Sequence, residues 1–175
     1  SMATDIRMAG YVPIGTVLPA AAVTGTSASI LVSGNAIPRD NITVSWVNNG
    51  NQSRIYSIGT SASTPDCVNA GTSLDLNTNG GGIQELVEGV EGMQVLYGSC
   101  SPVDTNGDGV NDSMVVTSPF YQQASSISNW NLVCSVRIHL LMVSLVDNVL
   151  KQPQTIYFPA DTNTALSFND RCLRQ

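Results

Sequence analysis

Apolar and polar residues alternate along several stretches of the chain. The longest alternation sets Trp130, Leu132, Cys134, Val136, Ile138, Leu140 and Met142 against Asn131, Val133, Ser135, Arg137, His139 and Leu141. A period of two places successive side chains on opposite faces of a strand, so this segment predicts a central strand with one apolar face. Ile42, Val44 and Trp46 alternate with Thr43 and Ser45, and the pattern resumes at 54–58 after Asn48-Asn49-Gly50-Asn51. Asn and Gly tolerate positive φ, so the two runs predict a β-hairpin. Met93, Val95 and Tyr97 give a strand ending at Gly98, and Met114-Val115-Val116 gives a returning one. Ser29-Ile30-Leu31-Val32 is a short strand closed by Ser33-Gly34-Asn35, and Thr155-Ile156-Tyr157-Phe158 is placed beside the long strand.

Two segments depart from that period. Ile83, Leu86, Val87 and Val90 stand at i, i+3, i+4 and i+7, which predicts a short amphipathic helix with Glu85, Glu88 and Glu91 on its other side and Gly89 and Gly92 limiting it. Residues 3–10 combine helix formers with a closing glycine and read as the final turns of a helix, which Tyr11-Val12-Pro13 then leaves. Residues 59–82 read as a long polar loop crossed by Cys67, Leu74 and Leu76, with Gly80-Gly81-Gly82 as a hinge. There is no internal repeat. Ser1-Met2 reads as a remnant of tag removal, so a natural segment is expected upstream of Ala3.

At 175 residues and 42% hydrophobic content the chain suits one domain with its own core. Charged residues make up only 11%, and Ser, Thr, Asn and Gly fill the segments between apolar runs, as in β-rich extracytoplasmic proteins. A net charge of -6, a single lysine at Lys151 and scattered Arg39, Arg54 and Arg137 argue against a nucleic-acid partner, because phosphate binding needs clustered cations. Cys67, Cys100, Cys134 and Cys172 lack the CxxC spacing of a zinc or redox site, and the only histidine is His139. Disulfides are therefore expected, in an oxidising compartment such as the periplasm, with three connectivities open. No stretch approaches the ~20 apolar residues of a membrane span, and no signal peptide is visible.

No catalytic constellation emerges, and the chain reads as a non-enzyme. His139 lies within the long strand beside Arg137, with no G-x-S-x-G turn to supply a nucleophile, and reads as a polar residue on the sheet's outer face. Glu85, Glu88 and Glu91 read as a solvated helix face, and Gly80-Gly81-Gly82 lacks the following lysine of a phosphate loop. One motif is specific. Asp104-Thr105-Asn106-Gly107-Asp108-Gly109-Val110-Asn111-Asp112 fits D-x-[DN]-x-[DN]-G, in which alternate oxygens converge on a hard cation. The candidate ligands are Asp104, Asn106, Asp108, the Val110 carbonyl and Asp112, and the expected ion is calcium. Val115 stands at the twelfth position in place of the usual acid, so weak binding is expected.

Three segments, in order and spacing, resemble the PilW minor pilins of type IV pilus assembly. They are Asp5-Ile6-Arg7-Met8-Ala9-Gly10-Tyr11, then Glu85 onward through Gln94-Val95-Leu96-Tyr97-Gly98, then 130–141 with Val136-Arg137-Ile138. The Asp-rich loop and the closing Asp170-Arg171-Cys172-Leu173-Arg174-Gln175 are also similar to that family. The resemblance implies an α+β pilin-like head in which a truncated N-terminal helix packs on mainly antiparallel β-sheets. Residues 3–10 would be the end of that helix and 11–175 the head. It implies kinship with the GspJ minor pseudopilins, a membrane-embedded half-helix upstream, an inner-membrane and periplasmic location before assembly, and the pilus surface afterwards. The implied partners are other minor pilins, the major pilin and a tip adhesin, in a complex that primes polymerisation and supports twitching motility, adhesion or DNA uptake. Cys134 and Cys172 stand where the family usually has other residues, and Tyr11 lacks the family's following Gly-Cys. Two joint departures favour pairing Cys134 with Cys172, which leaves Cys67 with Cys100. The competing readings are a secreted calcium-dependent binding module and a minor pseudopilin of type II secretion.

Overall fold

The structure is a computed structural model, and it describes residues 1–10, 21–32, 34–61, 67, 71–117, 120–159 and 164–175. The expected exit at Tyr11-Val12-Pro13 and much of the polar stretch after Gly59 lie outside these residues.

The 42–58 alternation forms the expected hairpin. Strands β4 (Asn41–Val47) and β5 (Asn51–Thr60) are joined by a turn in which Asn49 and Gly50 take positive φ. Strands β1 (Val23–Thr26), β6 (Thr72–Thr78) and β7 (Ile83–Glu88) complete a five-stranded antiparallel sheet in the order β1-β4-β5-β6-β7. The second sheet is built on β8 (Val90–Val103), which pairs with β10 (Gln122–Gln123), β11 (Val133–Met142) and, at its far end, β9 (Ser113–Val116). Two hairpins stand apart: β2 (Ser29–Val32) with β3 (Asn35–Pro38), and β12 (Gln154–Tyr157) with β13 (Ala165–Phe168).

The main core lies between the two sheets. Val23, Ile42, Val44, Trp46, Tyr56 and Leu74 from the first meet Val90, Met93, Val95 and Tyr97 of β8. The helix α1 (Met2–Met8) lays Met2 and Ile6 against this cluster. Burial of an aliphatic or aromatic side chain contributes roughly 1.5–3 kcal/mol, so this layer dominates stability. A second cluster of Val32, Ile37, Leu141, Phe158, Leu166 and Phe168 ties both hairpins to the end of β11. There β3 crosses β8 so closely that a Cβ on Gly92 would stand 2.6 Å from Ile37 Cγ2. Only glycine admits that approach.

The α+β class does not hold. Among the described residues α1 is the one α-helix, two single turns of 3-10 helix follow later, and the body is antiparallel sheet. The expected helix near Ile83 is strand β7, hydrogen-bonded to β6. Gly82 and Gly89, both at positive φ, bracket a segment of only six residues, too short for a stable helix, while β6 offers a free edge. A bulge between Leu74 and Asp75 shifts the pairing, so the i, i+3, i+4 spacing of Ile83, Leu86 and Val87 is coincidental.

Three further expectations are corrected. The long alternation is not a central strand: β11 is at the edge of its sheet, and Trp130–Leu132 forms a 3-10 turn before it. A register shift at Cys134 changes the phase, so Val133 packs on the core together with Val136 and Ile138, while Leu132 is exposed. The 154–157 strand pairs with β13 and not with β11. The polar stretch after Gly59 is interrupted by β6, whose Leu74 joins the core.

Candidate functional site

No helix among the described residues is long and apolar enough to cross a membrane. The one α-helix is instead pinned to the first sheet by a polar contact that its sequence did not advertise. Asp5, 4% exposed, accepts from Arg54 Nη1 at 2.6 Å and from the Tyr56 hydroxyl. Burial raises the Asp5 carboxyl, but these two bonds and the nearby guanidinium outweigh it and hold the group below its ordinary value. Burial and the same carboxylate push Tyr56 up to about 12. Arg54 also lies 5.4 Å from the Trp46 ring, and Gly10 N–H donates to Ser45 O. The orientation of α1 on β4 and β5 is thus fixed by charge as well as by packing.

The candidate calcium residues share one exposed turn between β8 and β9. Asp104 accepts from the amides of Asn106 and Gly107 on Oδ1 and of Gly109 on Oδ2, at 2.6–3.2 Å. These amides hold its carboxyl below the ordinary value. Asn106 Oδ1 accepts from Asp108 N–H, and Asp108 Oδ1 from Val110 N–H. Asp112 accepts from the Thr105 amide and hydroxyl, which lower it in turn. The loop therefore satisfies its carboxylates largely from within: Asp104 Oδ1 and Asp112 Oδ1 each accept two bonds, and lone pairs remain on Asp104 Oδ2 and Asp112 Oδ2. Among the described residues, three acidic, cysteine or histidine ligand atoms come within 4.8 Å of one another only at Cys67, Asp147 and Cys172, where both thiols are in a disulfide.

Both disulfides form, with a connectivity different from the favoured one: Cys67 with Cys172, and Cys100 with Cys134. The reason is topological. Cys100 and Cys134 sit on paired strands β8 and β11, and the register shift turns Cys134 towards its neighbour. Cys172 lies on the tail, whose backbone pairs with Met142 and Ser144, and is brought to Cys67 beside Val143.

Glu91 does not belong to a solvated face. It is fully buried and accepts from Arg174 Nε at 2.6 Å and Nη2 at 3.2 Å. Arg174, also buried, reaches Asp170 at 2.6 Å and lies 3.8 Å from the Phe168 ring. Burial alone would lower Arg174, yet these carboxylates hold it above its ordinary value, so the cation persists. Glu85 and Glu88 accept from the Ser61 hydroxyl. His139 sits on β11 opposite Gln94 of β8 and is half-buried.

The sequence model of the family described as Type IV Pilus-assembly protein W, PilW, matches residues 55–175. The chain belongs to the PilW family. The match takes in every strand from β6 onward, both disulfides and the Arg174 cluster. PilW proteins are pilus-assembly components and not an enzyme family, which places this protein in type IV pilus assembly, at the envelope or pilus and among other pilus components. Neither the search of curated proteins nor that of solved structures gave a match.

The alternation and turn residues did not reveal Asp5 with Arg54, or Glu91 with Arg174. The signal available was local: Glu91 sits in an apolar run with Val90 and Met93, where an acid implies a buried partner.

Proposed function

We propose that this PilW protein is a minor pilin that joins sister minor pilins in the complex priming pilus polymerisation, at the tip of the fibre. The observation that carries the reading is the family match over 55–175. The geometry supports it in one respect. An N-terminal helix held on the sheet by Asp5, Arg54 and Tyr56 has a fixed direction relative to the domain. In this reading α1 is the end of a longer helix that anchors the protein in the inner membrane and later packs in the fibre. Motility, adhesion or DNA uptake would follow from the assembled pilus.

Co-expression of the full-length protein with its sister minor pilins tests the reading. A stable hetero-complex on purification is expected, and a protein that purifies alone under those conditions contradicts it. Calcium at the 104–112 turn belongs to the same proposal, as a weak structural ligand. The sequence motif and the ionised Asp104 support it.

A further inference from the structure

The outer edge of β11 carries a row of backbone groups whose direction can be read from both sides of the strand. Met142 exchanges both backbone hydrogen bonds with Gln175, at 2.9 and 3.1 Å, so its N–H and C=O point away from β8. The period of two gives Leu140, Ile138 and Val136 the same direction, since the extra residue of the register shift at Leu141/Met142, Glu91, lies on β8. β8 repeats the parity. Met93 O accepts from the Asp40 amide and Val95 N–H donates to Asp40 Oδ2, so both turn their backbone groups away from β11. Their opposite residues, Leu140 and Ile138, must then turn theirs away from β8. Among the described residues no strand pairs with this side of β11 until the tail reaches Met142 and Val143. The N–H and C=O groups of Val136, Ile138 and Leu140 therefore line about 14 Å of open edge.

Sheet edges are normally shortened, bulged or charged against pairing with another chain. β1 and β10 are four and two residues long, and β7 is six, with a bulge in its pairing and Glu85 and Glu88 along it. β11 has ten residues and no proline, lysine or acid, and its own extra residue, Cys134, precedes the three outward-facing ones. Its ionisable residues, Arg137 and His139, share one face. The Arg137 guanidinium is exposed and lies 4.2 Å from the Tyr121 ring. On the other face Val136 and Ile138 pack at the margin of the main core, and Leu140 beside them is 37% exposed.

We propose that β11 receives an extended segment of a partner protein by strand addition, a segment that alternates apolar and acidic side chains. Its backbone bonds to Val136, Ile138 and Leu140, as in other cases of strand addition to an open sheet edge. Its acids stand opposite Arg137 and His139, and its apolar residues continue the core layer beside Ile138 and Leu140. A second copy is the poorer occupant, because β11 offers no acid to meet Arg137 and a chain of net charge -6 repels its own copy. That the donor is a pilus component rests on the assembly reading above, but the strand addition does not. Binding of the probe by a protein whose loss leaves pili normal would fail the assembly reading alone.

The test is amide hydrogen exchange read by ¹⁵N NMR on the whole chain. Without a probe, the Val136, Ile138 and Leu140 amides should exchange at least about tenfold faster than those of Arg137, His139 and Leu141, which face β8. A synthetic heptapeptide of alternating valine and glutamate, blocked at both ends, should slow the three fast amides saturably. The valine/lysine analogue should bind roughly threefold more weakly or worse, the difference expected of a cross-strand charge pair. Arg137→Glu should reverse that preference while leaving the alternating protection of the strand in place. Equal protection of the two sets in the free protein, no saturation at millimolar peptide, or equal binding of both peptides by the unmutated protein would overturn the proposal. Slowing of the three amides when the protein alone is concentrated would also overturn it, by assigning the edge to a second copy.

Discussion

Removing the Cys67–Cys172 bridge tests the least expected feature of the fold. The two cysteines are 105 residues apart, and Cys100–Cys134, with a separation of 34, lies inside that loop. With the inner bridge intact the outer one closes an effective loop of about 70 residues, which corresponds to ~4.4 kcal/mol in the chain-entropy account, against ~3.8 kcal/mol for the inner bridge. Cys67 and Cys172 are also buried beside Val143, so alanine is the better replacement, since serine would bury two hydroxyls. Cys67→Ala with Cys172→Ala should therefore cost about 4 kcal/mol in denaturant unfolding and lower the melting temperature by roughly 9–18 °C for a domain of this size. The m-value should rise as the unfolded chain expands. The matched Cys100→Ala, Cys134→Ala variant should lose slightly less. A non-reduced digest should yield the Cys67 peptide joined to the Cys172 peptide. A linked Cys67–Cys100 peptide, or a loss below about 1 kcal/mol in the outer variant, would refute the pairing and this assignment of stability.

Three other outcomes follow from the buried charges and the acidic turn. Arg174→Met should cost about 3–5 kcal/mol in urea unfolding because it strands buried Glu91, and adding Glu91→Leu should recover much of it. Asp5 is held below the ordinary aspartate value of 3.8, so its contribution is complete above that value and is lost as pH falls through the lower folded one. Asp5→Asn should accordingly flatten the acid limb of a stability–pH curve below about pH 4 and cost roughly 1–3 kcal/mol at neutral pH. Calcium in the millimolar range should raise the melting temperature of the unmutated protein but not of Asp104→Asn, Asp108→Asn, and a protein indifferent to calcium would reduce the motif to a polar turn.

The elements legible in the sequence are those whose pairing is local. The β4–β5 hairpin was visible because alternation on both arms meets Asn49 and Gly50, which accept the positive φ its turn requires. The β8–β9 return was visible because an Asp/Asn/Gly turn separates two apolar runs. β7 was misread because six residues carry too little pattern to distinguish periods of 2 and 3.6, and the free edge of β6 decided the outcome. The cysteine pairing, and the partner of β12, depend on where a distant tail returns, which no local pattern encodes. Glu91 and Arg174 are 83 positions apart, and burial, not spacing, makes them partners. Of the candidate site residues, the 104–112 set does share one turn, but its oxygens first serve the turn's own amides.

The central claim is that this protein acts in type IV pilus assembly as a priming minor pilin. Its most direct test is a count of surface pili by electron microscopy in a strain deleted for the gene, with and without the full-length gene restored. The account predicts a bald surface in the deletion and recovery on restoration. Normal numbers of pili in the deleted strain would contradict it.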